Sequence, residues 1–217
     1  MTEHKDKRID SPSFAQLILT LDVRRTFTPA FLQQILATNA FVSVLIYDSK
    51  GDEAFLQKQA QTYAQDIQNN GAALLIAGEC RIAERVKADG FHREGDLTTL
   101  EQLYDQKKAQ KIIGFGNIRN RHSAMVAGEA GVDYLFFGKL GADRKPHAHP
   151  RNLQLAGWWA EIMEIPSIIQ AGSDFSTFDE VLKTACEFIA VEEVIFGSNN
   201  PLPLLKKMQE KCVSASQ

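Results

Sequence analysis

The chain has 217 residues, 44% of them hydrophobic and 24% charged, with a formal net charge of −3. That balance suits a globular domain. It excludes the basic footprint of a nucleic-acid-binding domain, and no apolar run approaches the roughly 18 residues of a membrane span. Met1 to Ser13 is polar and charged, without the apolar core of a secretory leader, and reads as a flexible arm (residues 1–13) ahead of one domain (residues 14–217). Cys80, Cys186 and Cys212 are far apart and odd in number, which predicts unbridged thiols in a reducing, cytoplasmic setting.

Eight short apolar runs follow in chain order: Ala15–Asp22, Phe41–Asp48, Ala72–Gly78, Asp89–Glu94, Lys111–Asn117, Tyr134–Leu140, Ser167–Gly172 and Phe188–Val191. Most are continuous rather than alternating, as in Leu74-Leu75-Ile76, which is how strands covered on both faces read. Helical patterns intervene over Ala54–Gln68, Arg121–Ala130 and Phe178–Cys186. Thr28-Pro29 marks a helix start. Ser176 or Thr177 is expected to cap the helix holding Asp179 and Glu180. Strand and helix alternating eight times predict an α/β fold, a single (β/α)8 TIM barrel. The open doubly wound alternative lacks its glycine fingerprint, since Gly114-Phe115-Gly116 has no third glycine.

In such a barrel the chemistry sits at the C-terminal ends of the strands. Lys50, after the second run, can contact an anion or be a solvated turn lysine. Cys80, after the third, has no evident base beside it and reads as a packed thiol. His92, Glu94 and Asp96 alternate after the fourth and can share one face around a divalent cation. Gly114 and Gly116 in the fifth either let a ligand approach the backbone or make room for packing, and Asn117 follows with a hydrogen-bonding amide. The loop Gly141 to Asn152 reads first as a plain flexible loop; Arg144 or Lys145 can instead contact an anion, and His147-Ala148-His149 can ligate zinc only with Asp143 as a third ligand. Gln170, Gly172 and Ser173 end the seventh run, where barrels often bind phosphate, but Glu192 and Glu193 end the eighth and repel it unless they point away. Trp158 and Trp159 read as packing or oligomer contacts.

Several of these segments together resemble the thiamine-phosphate synthase and thiazole tautomerase family, from about Val42 to Phe196. The carriers are Leu74-Leu75-Ile76, Lys87-Ala88-Asp89-Gly90-Phe91-His92, Asp96-Leu97, Ile112-Ile113-Gly114, Gly131-Val132-Asp133-Tyr134 and Ile165 through Gly172. The resemblance implies a TIM barrel that joins a hydroxymethylpyrimidine pyrophosphate to a thiazole phosphate with Mg2+, releasing pyrophosphate. It implies phosphorylated pyrimidine and thiazole substrates, a transferase role in thiamine biosynthesis and a homo-oligomer, and gives no reason to expect nucleic acid or membrane partners. By the same resemblance Lys50 and Lys145 hold phosphate, Asn117 and Gln170 contact substrate, Gly172 with Ser173 holds the thiazole phosphate, and Asp96 holds magnesium. The chain departs from the family pattern at Asp48, where the family has arginine, at Ala77-Gly78, where it has Asn-Asp, at Gly116, where it has serine, and at Glu192-Glu193, where it has small residues. Those departures predict a diverged paralogue with weakened or lost activity. The rival expectation is a non-catalytic TIM barrel that binds another small ligand or a partner protein.

Overall fold

The structure, a computed structural model, describes residues 14–95, 98, 111–142 and 144–215. Eight parallel strands close into a barrel in sequence order, β1 pairing with both β2 and β8. They are β1 Gln16–Asp22, β2 Phe41–Tyr47, β3 Ala73–Ala77, β4 Gly90–Glu94, β5 Ile112–Gly116, β6 Tyr134–Phe137, β7 Ser167–Gln170 and β8 Phe188–Val191. The described helices are α1 Pro29–Leu36, α2 Glu53–Asn69, α3 Cys80–Arg85, α4 Arg121–Glu129, α5 Pro150–Ile162, α6 Phe178–Leu182, α7 Glu193–Phe196 and α8 Pro201–Ser214, with a 3-10 turn at Phe175–Thr177. All eight expected strands exist. The sixth is three residues shorter at its end than the apolar run suggests, because the chain turns at Lys139–Ala142, where the Ala142 amide donates to the Lys139 carbonyl (3.1 Å).

Local signals set most helix starts. Thr28 caps α1 by accepting from the Phe31 amide, with Pro29 at the first helical position. Asp52 caps α2, and Asn120 with Ser123 forms a reciprocal capping box on α4. Before α6 the expectation fails. Ser176 is a donor, its amide bonding the Asp174 carboxylate, and Thr177 makes no side-chain cap. The Thr177 hydroxyl instead reaches the carbonyls of Pro146 and Asp174.

Two apolar layers hold the molecule. The larger lies between strands and helices and includes Leu19, Val44, Ile76, Phe91, Phe115 and Trp159. The smaller fills the barrel interior with Ile18, Leu45, Leu75, Tyr134, Phe136, Ile168 and Ala190. Register places Gly114 of β5 beside His92 of β4 and Tyr134 of β6. A Cβ on Gly114 would lie 1.9 Å from Tyr134 Cζ, and one on Gly116 would lie 2.5 Å from His92 Nε2. The two glycines therefore make room for the rings of neighbouring strands rather than for a ligand against the backbone.

Cys80, Cys186 and Cys212 are buried, unbridged thiols. Trp159 is fully buried and donates its indole N–H to the Ile165 carbonyl, while Trp158 is half-buried beneath the Arg121 guanidinium. Among the described residues no helix is long and apolar enough to cross a membrane.

Candidate functional site at the barrel mouth

The C-terminal ends of β8, β1 and β2 carry a dense set of charges. Glu192 follows β8 and turns its carboxylate into the barrel, where it is 5% exposed. Arg25 Nε donates to it at 2.9 Å, Thr20 Oγ1 at 3.2 Å, and the Tyr47 hydroxyl lies 2.9 Å from both oxygens. Burial raises the Glu192 carboxyl above the usual carboxylate range, against the lowering pull of Arg25 and Tyr47. Arg25 also pairs with Glu193, and Arg144 reaches Glu193 at 3.1 Å and Asp22 at 3.7 Å.

Beside this cluster, Arg24 grips Asp48 with two parallel hydrogen bonds of 2.8 and 2.7 Å, its guanidinium lying over the Phe55 ring. Asp48 accepts two further amide bonds, from Lys50 at 2.8 Å and Asp52 at 3.2 Å. The Arg24 side chain holds the Asp48 carboxyl below its usual range. An arginine thus stands near the end of β2 after all, supplied from the end of β1 and already bound to a carboxylate.

A cavity of about 420 Å³ opens between the ends of β2, β3 and β4, lined among others by Tyr47, Ala77, Gly78, His92, Glu94 and Leu140. His92 is 1% exposed, stacked on Tyr134 at 5.6 Å and edge-on to Phe136. Its Nδ1 lies 3.0 Å from the Tyr134 hydroxyl, and its Nε2 is buried with no hydrogen-bond partner among the described residues. Burial pushes the imidazole down to about 3, so the ring is neutral at pH 7, and it pushes the Tyr134 phenol up. A protonated Tyr134 donating to Nδ1 leaves the imidazole proton on Nε2, a donor awaiting an acceptor.

The turn after β7 is already occupied. Ser173 N donates to the Lys145 carbonyl (2.8 Å), Asp174 N to the Pro146 carbonyl (3.2 Å), and Thr177 Oγ1 to the same Pro146 carbonyl (2.9 Å). A Cβ on Gly172 would lie 2.0 Å from the Pro146 oxygen, so this glycine is required by the loop that covers it. His147 Nδ1 lies 2.7 Å from Glu180, and His149 Nδ1 accepts the Arg151 amide at the start of α5. The two histidines have separate partners and do not converge on a zinc ion.

Of the expected contacts, Lys145, Gly172 and Ser173 come together at the β7 turn, Lys145 through its carbonyl. Lys50 is exposed and lines none of the mouth cavity. Asn117 has left-handed backbone (φ 59°) and lines a separate hollow with Arg119, Asn120 and Ser123. Gln170 is buried at the end of β7. Asp96 and Asp143 lie outside the described residues. Among those described, no three His, Cys, Asp or Glu side chains form a group that could hold a metal ion. Glu94 accepts from the Leu140 amide (2.9 Å), Glu79 pairs with Arg93, and the Cys80 thiol donates to Glu84, with burial and then that carboxylate pushing it up, away from the reactive thiolate. Sequence reasoning passed over Asp22, Arg24, Arg25 and Tyr47. Their signal was positional: Asp22 and Tyr47 end the first two strands, and Arg24 and Arg25 follow just after the first.

A family model for thiamine monophosphate synthase matches residues 20–195, most of the chain and all but the start of the barrel. The chain belongs to the thiamine monophosphate synthase family. Thiamine-phosphate synthase of Erythrobacter litoralis is 28% identical over 195 residues, covering 87% of this chain and 90% of the relative. The Rhodospirillum centenum synthase is 29% identical over 144 residues, covering 64% and 68%. Among solved structures, thiamine phosphate pyrophosphorylase from Pyrococcus furiosus superposes with a TM-score of 0.74 at 17% identity, covering 92% of this chain and 96% of that one. That last likeness is one of fold.

Proposed function

We propose that this family member joins a hydroxymethylpyrimidine pyrophosphate to a thiazole phosphate, slowly, to give thiamine phosphate. The observation that carries the reading is His92 Nε2, a buried polar atom beside the mouth cavity with no hydrogen-bond partner among the described residues. Such an atom calls for a ligand or water to complete its hydrogen bond. A ring nitrogen or amino-pyrimidine edge seated in this cavity answers it. In the proposed reaction the thiazole nitrogen attacks the pyrimidine methylene carbon, and the bond from that carbon to the pyrophosphate oxygen breaks. Gly172 and Ser173 hold the thiazole phosphate; Lys50 and Lys145 are exposed and meet phosphate from solvent, and Asn117 and Gln170 are further substrate contacts.

Slowness follows from what the charges are doing. Arg24, Arg25, Arg93 and Arg144 are each committed to a carboxylate. Loss of even one preorganised donor to a developing anion costs about a hundredfold or more in rate. Magnesium chemistry is part of the family expectation, but the described residues do not fit it: Ala77-Gly78 offers no carboxylate, and Asp48 is held by Arg24. Asp96 remains the candidate ligand. A cytoplasmic setting and assembly into a homo-oligomer complete the proposal.

The paired arginines also favour a second reading, a barrel that binds an uncharged heterocycle without turning it over. One experiment separates the two. The protein is incubated with both substrates and magnesium, and thiamine phosphate is measured against a family synthase that retains the arginine, Asn-Asp and serine. Product formed at about a hundredth of that rate or less fits the first reading. No product from folded protein, with tight binding of the unphosphorylated pyrimidine alcohol, replaces it with the second.

A further inference from the structure

We propose that residues 144–147 form a latch that fills the β7 cradle of the resting protein with its own carbonyls, so that a phosphate group enters only by displacing Lys145 and Pro146, while the buried Ala148 stays anchored in the core. The ligand named here, thiazole phosphate, rests on the functional reading above; the latch itself rests on geometry.

Three donors converge at this turn: the amides of Ser173 and Asp174 and the hydroxyl of Thr177. Adjacent amides and a hydroxyl aimed at one place are a donor set suited to phosphate oxygens. Each already has an acceptor, and both acceptors are backbone carbonyls of one loop. The Pro146 oxygen sits where only a glycine at 172 leaves space. The loop's carbonyls therefore stand where phosphate oxygens would.

Electrostatics favour this occupant at rest. A carbonyl is neutral, while a phosphate is an anion, and the carboxylates of Asp174, Glu180 and Glu193 belong to the same rim. Side chains then pin the loop from outside the cradle. His147 bonds Glu180 and Arg144 bonds Glu193. His147 is 68% exposed and Arg144 51%, so both contacts can break without opening the core. Three cradle bonds and two side-chain ties hold this loop in the resting protein.

The test uses the intact protein and two variants that break one pair from opposite sides, His147→Ala and Glu180→Ala. Amide exchange at Ser173 and Asp174 reads the latch, and calorimetry with inorganic phosphate and with thiazole phosphate reads the cradle. In the unaltered protein both amides are expected to be protected. Each variant is expected to speed their exchange and to tighten inorganic phosphate binding by about two- to fivefold, the scale of an exposed pair, since more molecules are open. The shared direction is decisive. If Glu180→Ala tightens binding and His147→Ala weakens it, simple charge explains both and the latch is overturned. Rapid exchange of Ser173 and Asp174 in the unaltered protein also overturns it, as does faster exchange in the variants without any gain in phosphate binding. If inorganic phosphate binds as expected and thiazole phosphate does not, the latch stands and the thiazole assignment falls.

Discussion

Tyr47 on β2 and Glu192 at the end of β8 meet across the barrel mouth, the phenolic oxygen 2.9 Å from both carboxylate oxygens. The phenol supplies a hydrogen bond to a charge that is otherwise out of reach of water. Tyr47→Phe removes that donor and leaves Arg25 and Thr20 to hold the carboxylate. A hydrogen bond to a charged group contributes about 1.5–3 kcal/mol. Urea unfolding at pH 7 is expected to show a loss of about that size, with an unchanged slope; a change below about 0.5 kcal/mol would mean the phenol is dispensable.

Asp48 gives the protein an acid-sensitive contact. Its carboxyl is held below the unfolded value by Arg24, so the folded state binds the proton less readily than the unfolded state does. The resulting stability is fully present above about pH 4, the unfolded value, and is lost as pH falls through the lowered folded value. Asp48→Asn is therefore expected to be less stable than the parent at pH 7 and to approach it as the pH drops below about 4. Thermal melts of both proteins from pH 7 to pH 3 check this, and a stability gap that does not change with pH would contradict it.

The two β5 glycines make a graded prediction. A methyl at 116 meets His92 Nε2 at 2.5 Å, the edge of a side chain, whereas one at 114 meets Tyr134 Cζ at 1.9 Å, inside the ring. Gly116→Ala is expected to destabilise by about 1–3 kcal/mol, the usual range for overpacking, and Gly114→Ala by more. Equal losses in denaturant unfolding would mean the two rings yield equally.

His92 is expected to stay neutral across the ordinary pH range, because burial pushes its folded value to about 3. The unfolded histidine takes up its proton near pH 6.5, so stability tied to this group is present above that point and drains away as pH falls toward the folded value. Nitrogen chemical shifts of the ring should hold still from pH 8 to pH 5. A titration near pH 6.5 would show that the imidazole reaches water.

The barrel was legible because strands covered on both faces carry continuous apolar runs, as Leu74-Leu75-Ile76 and Ile168-Ile169 do. Their ends were also legible to within a few residues. The mouth was not, for a physical reason. Thr20 and Glu192 are 172 positions apart, and Tyr47 and Glu192 are 145, so no local pattern announces their contact. Glu192-Glu193 read as repulsive at a phosphate site, which is correct for the bare charges and silent about Arg25 and Arg144. Gly172 read as a phosphate glycine, while the structure shows what a glycine there also permits, the close approach of Pro146. Arg24 illustrates the limit well. Comparison along β2 finds an arginine missing, and only the folded barrel shows one arriving from β1.

The carboxylate of Glu192 also ties the mouth to the completion of the chain. Arg25, Thr20 and Tyr47 come from the first two strands, and their shared acceptor comes from the last. Until β8 docks between β7 and β1, these three donors have no common acceptor. A nascent or truncated barrel lacking its final strand would thus leave these donors without their common acceptor, and this part of the entrance would be organised only with ring closure.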